Sequence, residues 1–506
     1  MRMTRKNERY NIAYKILSEA SARAYEDLFL LSNQVLSKNP LTNNFLRNFV
    51  FRREVCAYRI SAITIRIVEY YLRSFLHFAI YMLNVIIFRI KAPRDTLPGN
   101  LDHLIILNIF MVIDRIKKTN RFEDIYLPGL EIVLRKMNRQ FIYVPVFDRY
   151  GMRANHGSVL SILKNQEIPI LYEYQLLRTV DLLYVFYFIV FYPLHVLRYA
   201  GSLPKDKYET NLVKHELINT LGQVTFYNFS RYLVGRRISQ LPYRKIKVIG
   251  WFENQAGEKN FYKGLRSKPE KVAIYGAQLL PYAEMDLNII VDENEKRFGV
   301  IPDKILVNGP FYVPKETKLN YAVGPSLRYG SIFKKKFSRN LRKHILVLLP
   351  YSSEYAEAIL RVLHGTSINE RNVIIKTHPA SMPSDYRQFL KSNYTLVDNE
   401  NVYELFAKSE LVIGAASGGL LEAASMGIPA IVIKSSNMLD YDMLPEYGKG
   451  IIWEEVYGAE DLQRAIAIIE ARICKEVDEI DRISREYRDS FFLEPTEGNI
   501  LRTFDL

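Results

Sequence analysis

From His344 to Lys434 short apolar runs alternate with helical stretches, and this constrains the fold more than any other feature of the chain. His344–Leu349 reads as a strand, Glu354–His364 as a helix, Asn372–Lys376 as a strand, Tyr386–Ser392 as a helix and Tyr394–Val397 as a strand. Val402–Ser409 then reads as a helix, Leu411–Ile413 as a strand, Gly419–Met426 as a helix and Ala430–Lys434 as a strand. Such alternation predicts a parallel sheet with right-handed crossovers. Upstream, residues 100–330 mix helices with β-branched runs at Phe141–Phe147, Lys245–Phe252, Lys271–Tyr275, Lys304–Val307 and Asn320–Val323, each closed by a turn or polar cluster. The expected fold class is therefore α/β, with domains at 100–333 and 344–506 joined by the basic linker Lys334–Lys343. A chain of 506 residues has room for both and for a third region ahead of them.

That third region, residues 1–99, reads as helical, with few Gly or Pro before Ala92–Gly99. Residues 1–100 carry 16 basic and 7 acidic side chains, so they supply +9 of the chain's +14. A basic, aromatic-rich segment points to an anionic partner, either lipid or nucleic acid. Arg52, Arg59, Arg66 and Arg73 recur every seven residues, among Ile60, Ile63, Ile65, Ile67 and Val68. The uncharged stretch Ser74–Phe88 follows, and a second one runs from Leu182 to Leu197 through Pro193 and His195. At 15 and 16 residues both fall short of the roughly 20 a spanning helix needs. The expectation is a membrane-associating region, peripheral or monotopic, on the cytoplasmic face of an inner membrane with anionic lipid as partner. An internal core helix with a solvated Arg face is the alternative. Met1–Lys6 lacks the apolar core of a signal peptide. Two cysteines, Cys56 and Cys474, build neither a disulfide framework nor a cysteine zinc site, which suggests a reduced compartment. The basic residues lie on an apolar helix with no nucleic-acid module around them, so no nucleic acid is expected.

In open parallel sheets ligands bind beyond the carboxyl ends of the strands. Two such ends stand out. In Val373–Pro379, Lys376 and His378 leave the strand and Pro379 fixes the turn, which suits a phosphate or simply a solvated strand exit. In Leu411–Pro429 a strand enters a small-residue turn and then a helix near Gly418. Ser417 is placed to cap that helix or to donate to a phosphate at its positive end. Gly418 and Gly419 admit a ligand to the backbone, or else serve close packing. Glu422, one turn in, can accept from ribose hydroxyls.

Together these motifs resemble the donor half of GT-B glycosyltransferases, two Rossmann-type domains facing a cleft. They are most similar to the group that holds bacterial sialyltransferases, capsule Kdo transferases and CDP-glycerol glycerophosphotransferases. That resemblance implies His378 and Ser417 on the donor phosphate, supported by Lys376 and Gly418. Gly250–Gln255, Ile301–Gly309 and Val323–Tyr329 are similar in order to a family of bacterial surface-carbohydrate (capsule or lipopolysaccharide) biosynthesis proteins. The likeness covers roughly residues 245–435. It departs at Gly276–Gln278, where relatives often carry a His.

On this resemblance Glu253 is the expected catalytic carboxylate, with His378. Glu253 would deprotonate the acceptor in an inverting transfer or attack the anomeric carbon in a retaining one; a structural Glu, held by amides or by Arg266, is the alternative. Asn254 and Gln255 would orient the acceptor, Asn308 and Gly309 would shape the cleft wall, and Arg328 would meet a donor phosphate or carboxylate, or form a salt bridge. No cofactor is expected. Nor is a metal, since the eight histidines are scattered and no Asp-x-Asp signature occurs. The expected function is transfer of a sugar from a nucleotide donor, favoured as a CMP-linked acidic sugar, to a lipid-linked or growing bacterial polysaccharide. The alternatives are CDP-glycerol-type phosphotransfer and a non-catalytic scaffold of an assembly complex.

Overall fold

A computed structural model describes residues 5–506 apart from 56–59, 93–96, 148–155, 205–206, 335–342, 367, 369–370, 380 and 399. Cys56, Arg59 and most of the linker at 334–343 thus lie outside the described residues. Two six-stranded, all-parallel sheets organise the rest. The first contains β1 (His103–Asn108), β2 (Phe141–Tyr143), β3 (Lys245–Trp251), β4 (Val272–Gln278), β5 (Lys304–Val307) and β6 (Tyr321–Val323), in the order β2-β1-β3-β4-β5-β6. The second contains β7 (His344–Leu348), β8 (Asn372–Lys376), β9 (Tyr394–Val397), β10 (Ser409–Gly414), β11 (Ala430–Ile433) and β12 (Trp453–Val456), in the order β9-β8-β7-β10-β11-β12. Renumbered within its sheet, that is the 3-2-1-4-5-6 order of a Rossmann domain. The chain therefore has the expected GT-B-like arrangement, two Rossmann-type domains with helices around them.

The central strands are buried on both faces, which is why they read as continuous apolar runs. Along β7, Ile345 and Val347 point into a core confined to the second domain. Leu346 and Leu348 point the opposite way, into the larger core that continues through the first domain. Tyr386–Ser392, expected as a helix, is a 3-10 turn over Pro383–Phe389. Between the domains, Arg47 makes a two-pronged ion pair with Glu354 at 2.5 and 2.9 Å. The Tyr10 hydroxyl accepts from the Asp440 amide at 2.9 Å.

The last residues of the chain, expected within the donor domain, return to the first, although helix Val477–Phe491 still packs on helix Gly418–Ser425 of the second domain. After helix Val477–Phe491 the chain runs along the first sheet, and Lys247 donates to the carbonyls of Phe504 and Asp505 at 2.8 and 2.7 Å. Lys304 pairs with the Asp505 carboxylate at 3.0 Å.

The N-terminal helices Arg5–Ala24 and Ile60–Lys91 are woven into the first domain. Tyr199 donates to the Ala20 carbonyl, Asn33 donates to the Tyr192 hydroxyl at 2.8 Å, and Tyr71 donates to the Val190 carbonyl at 2.7 Å. The arginine stripe takes a different form from the one expected. Arg52 sits in a turn at φ 49°, before the helix that begins at Ile60. Of the remaining described members, Arg66 and Arg73 both pair with Glu69, at 2.9 and 2.8 Å. Arg52 therefore lies off the helix that carries Arg66 and Arg73.

Candidate active site in the interdomain cleft

The second sheet reverses strand order between β7 and β10, and the crevice beyond those two ends is the ligand site this topology provides. Ser417 lies there as the N-cap of helix Gly418–Ser425, its Oγ accepting the Gly419 N–H at 3.2 Å. The preceding Ala416 takes φ 48°, which turns the chain sharply out of β10. His378 leaves β8 on the other side of β7, with the Tyr351 ring edge-on at 5.5 Å between the centroids. The two motifs are thus not on adjacent strands. They flank β7, two strand spacings or about 10 Å apart. Burial and the nearby Lys376 charge lower the His378 pKa, so the ring is neutral near pH 7.

Other donor-side residues divide between crevice and scaffold. Lys376 donates to the Asp398 carbonyl at 3.0 Å, and burial lowers its pKa against the pull of Glu400 and Asp398. Gly418 faces Pro281 of the first domain, 3.7 Å from where a Cβ would stand. Gly419 packs on β7: a Cβ would come within 2.6 Å of Leu348 Cδ1, so its small size serves the fold and not a ligand. Glu422 accepts from the Tyr403 hydroxyl at 2.7 Å, and burial raises its pKa. Arg328 of the first domain acts on it through charge without an ion pair, its guanidinium 5.3 Å from the Trp251 ring and 5.6 Å from that of Tyr126. Burial would lower the Arg328 pKa, but Tyr329, Tyr126, Glu422 and Glu253 more than offset this, and the net shift is upward.

On the acceptor side, β3 ends at Trp251 and delivers Glu253 to the cleft. Its Oε1 accepts the Trp251 indole N–H at 2.7 Å, its amide donates to the Glu258 carboxylate at 3.0 Å, and its carbonyl accepts from Asn288 Nδ2 at 2.7 Å. Arg266 pairs instead with Asp303 at 2.8 Å, so that structural account of Glu253 does not hold. Burial, then the Glu253 charge, pushes Glu258 up to about 8. Asp286 of the first domain is buried, accepts the Ala283 amide at 2.9 Å and faces Tyr441 of the second domain. Burial raises Asp286 to about 7.

Three acceptor-side expectations are corrected. Asn254 is fully buried at φ 56°, its Oδ1 accepting from Lys259 at 2.5 Å and its Nδ2 donating to the Asn288 carbonyl at 2.8 Å; it shapes the strand exit and cannot touch a substrate. Asn308 is also fully buried, donating to the Phe491 carbonyl at 3.1 Å. Gly309 has no space for a side chain, since a Cβ would lie 2.3 Å from the Phe491 carbonyl carbon. Both residues seat the returning C-terminal segment, and neither lines the cleft. Gln255 is the N-cap of helix Ala256–Leu265, its amide donating to Glu258 at 2.9 Å.

Asp286, Tyr441 and Glu258 escaped the sequence reading. Glu258 carried a usable signal, an N-cap followed three residues later by Glu. A depression beside β10 and β11, lined by Tyr355, Ala415, Ala416, Lys434 and Tyr441, was likewise unmarked, because it assembles only when the sheet closes. Among the described residues no group of three His, Cys, Asp or Glu side chains is placed to hold a metal ion.

No family model matches the sequence, and no curated protein does. Solved structures of similar layout include a UDP-GlcNAc 2-epimerase of Methanocaldococcus jannaschii in complex with UDP-GlcNAc and UDP. It is 12% identical over 79% of this chain and 98% of its own, with a TM-score of 0.42. CalG4, the calicheamicin glycosyltransferase, is 12% identical over 80% and 97%, with a TM-score of 0.44. MurG of Acinetobacter baumannii is 12% identical over 80% and 100%, with a TM-score of 0.40. At these values the likeness is one of layout, and the fold assignment rests on the strand orders themselves.

Proposed function

We propose that the chain is a glycosyltransferase that moves a sugar from a cytidine-nucleotide donor, favoured as a CMP-linked acidic sugar, to a lipid-linked or growing bacterial surface polysaccharide. The observation that carries this reading is the placement of His378 and the Ser417-capped helix at one switch-point crevice, with Glu253 at the opposing strand end. The helix N-terminus and Lys376 supply positive potential for a leaving phosphate. A neutral His378 donates one N–H to that phosphate as negative charge develops there. Glu253, fixed by the Trp251 indole, removes the acceptor hydroxyl proton or attacks the anomeric carbon. The choice of cytidine rests on the His-Pro and Ser motifs.

The test is a ligand-dependent thermal shift with CMP, CDP, UDP and GDP and their conjugates, since a ligand that binds the native state raises its apparent stability. Cytidine nucleotides are expected to shift wild type and to lose that shift in His378→Ala. Glu253→Gln is expected to keep the shift while turnover falls about 10²–10⁴-fold. Phosphorus appearing in the product would replace the sugar donor with CDP-glycerol. A shift confined to UDP or GDP would discard the cytidine assignment, and no shift with any nucleotide would favour a non-catalytic scaffold.

A further inference from the structure

Helices Ile60–Lys91 and Thr179–Ser202 lie antiparallel on the surface of the first domain: Tyr71 bonds the Val190 carbonyl, and Phe75 and Phe78 meet Phe186 at 5.9 and 6.1 Å. Both are apolar on the outward face as well as on the buried one, unlike a helix of a water-soluble surface. The protein-facing side of the first holds Tyr70, Ser74, Tyr81, Asn84, Val85 and Phe88, all buried. Its outward side carries Ile65, Val68, Leu72, Leu76, Leu83, Ile86 and Ile90, each at least half exposed. That spacing of three, four and seven keeps one stripe facing outward for about 38 Å. The second helix continues the surface with Leu183 and Leu194, 65% and 61% exposed, and with Tyr184, Phe186 and Tyr187. An apolar surface of this extent is not left to water without a purpose.

Charge identifies the occupant. Between Ser74 and Phe88 the first helix carries no charged residue, and the charges of both helices gather at the margins. Arg66, Arg73, Arg89, Lys91, Arg178 and Arg198 are set against only Glu69 and Asp181. Glu69 is occupied by Arg66 and Arg73, and Asp181 is buried under Arg236 and Arg237. The margin is therefore cationic and the centre apolar and aromatic, the complement of an anionic lipid leaflet.

Both helices are long and apolar enough to cross a bilayer, with 28% and 44% of their apolar windows buried. Their packing argues for a different geometry. Tyr70 lies against Tyr192, Tyr81 against Phe226, and Phe88 against Tyr172 and Tyr174 at 4.9 and 4.8 Å, so protein covers one side from Tyr70 to Phe88. Spanning would strip those contacts away. We infer that the two helices form a single in-plane docking face by which the protein lies on, and inserts side chains into, an anionic lipid leaflet.

Co-sedimentation of the full chain with vesicles tests this, using phosphatidylcholine with and without phosphatidylglycerol. Wild type is expected to pellet at least about tenfold more tightly on the anionic vesicles. The double variant Leu76→Glu/Leu183→Glu is expected to lose that binding while keeping its thermal midpoint and tryptophan fluorescence, because both side chains are exposed. Arg178→Gln/Arg198→Gln is expected to weaken the preference for phosphatidylglycerol and to leave the apolar contribution. Undiminished binding by a folded Leu76→Glu/Leu183→Glu variant would overturn the inference. So would failure of wild type to pellet on either vesicle, or a soluble wild-type dimer that this variant splits.

Discussion

Replacing Glu295 by Gln isolates what holds the acceptor side of the cleft in place. Glu295 is fully buried and gathers five donors: Lys38 Nζ at 3.2 Å, Lys259 Nζ, the Tyr25 hydroxyl at 2.9 Å, Asn254 Nδ2 at 3.2 Å and the Asp292 amide at 2.9 Å. Burial opposes its charge, but Lys259 and Lys38 prevail and hold its pKa down at about 2. The amide substitution leaves two buried ammonium groups facing a neutral partner, and breaking a buried pair in this way costs about 3–5 kcal/mol. The expected loss sits at that level near pH 7. It should shrink on the alkaline side. Lys259 is already lowered to about 8 by burial, with Glu295 still opposing the shift. Without Glu295 its folded pKa falls further below the unfolded value of 10.5, so stability is lost as pH falls through the folded pKa and regained towards 10.5. Urea unfolding followed by Trp251 fluorescence in a Trp453→Phe background reads the first domain alone. Adding Lys259→Met to Glu295→Gln should recover at least about 1 kcal/mol, because the two side chains are coupled. A loss below about 1 kcal/mol, independent of pH, would refute the reasoning.

Glu258→Gln removes a group raised to about 8. In wild type the protonated form of Glu258 favours the fold up to its unfolded pKa, and this contribution is lost as pH rises from 4.5 through 8; the variant should lack that decline in a thermal-midpoint series. Gly309→Ala drives a Cβ into the Phe491 backbone and should loosen residues 477–506, seen as faster limited proteolysis there and a stability loss of about 1–3 kcal/mol.

Legibility in the sequence followed the range of the forces involved. In the second domain β8 and β9 fall on the residues read as strands, because parallel strands buried on both faces advertise themselves as apolar runs between turns. β1 did not, although it is a central strand: His103–Asn108 is a short apolar run that a buried helix would present equally well. Ser417 and His378 were visible because strand ends and caps are local chemistry. The roles of Asn254, Asn308 and Gly309 were not, since each is set by a distant partner, Glu295 for the first and Phe491 for the other two. The arginine stripe misled for a related reason. A seven-residue spacing implies one face only if the helix is continuous, and here it begins at Ile60.

The C-terminal return gives the two domains a second covalent connection. The described chain leaves the first domain at Lys334, resumes in the second at Lys343, and returns around Phe491–Leu493, where Ser326 and Leu493 exchange hydrogen bonds of 2.8 and 2.9 Å. One tether leaves three rotations open to a pair of rigid bodies, whereas two tethers fixed at separate points leave chiefly the swing about the line joining them. Any closure of the cleft is thereby biased to carry Glu253 and the His378–Ser417 crevice towards each other along one arc, like a door hung on two pins.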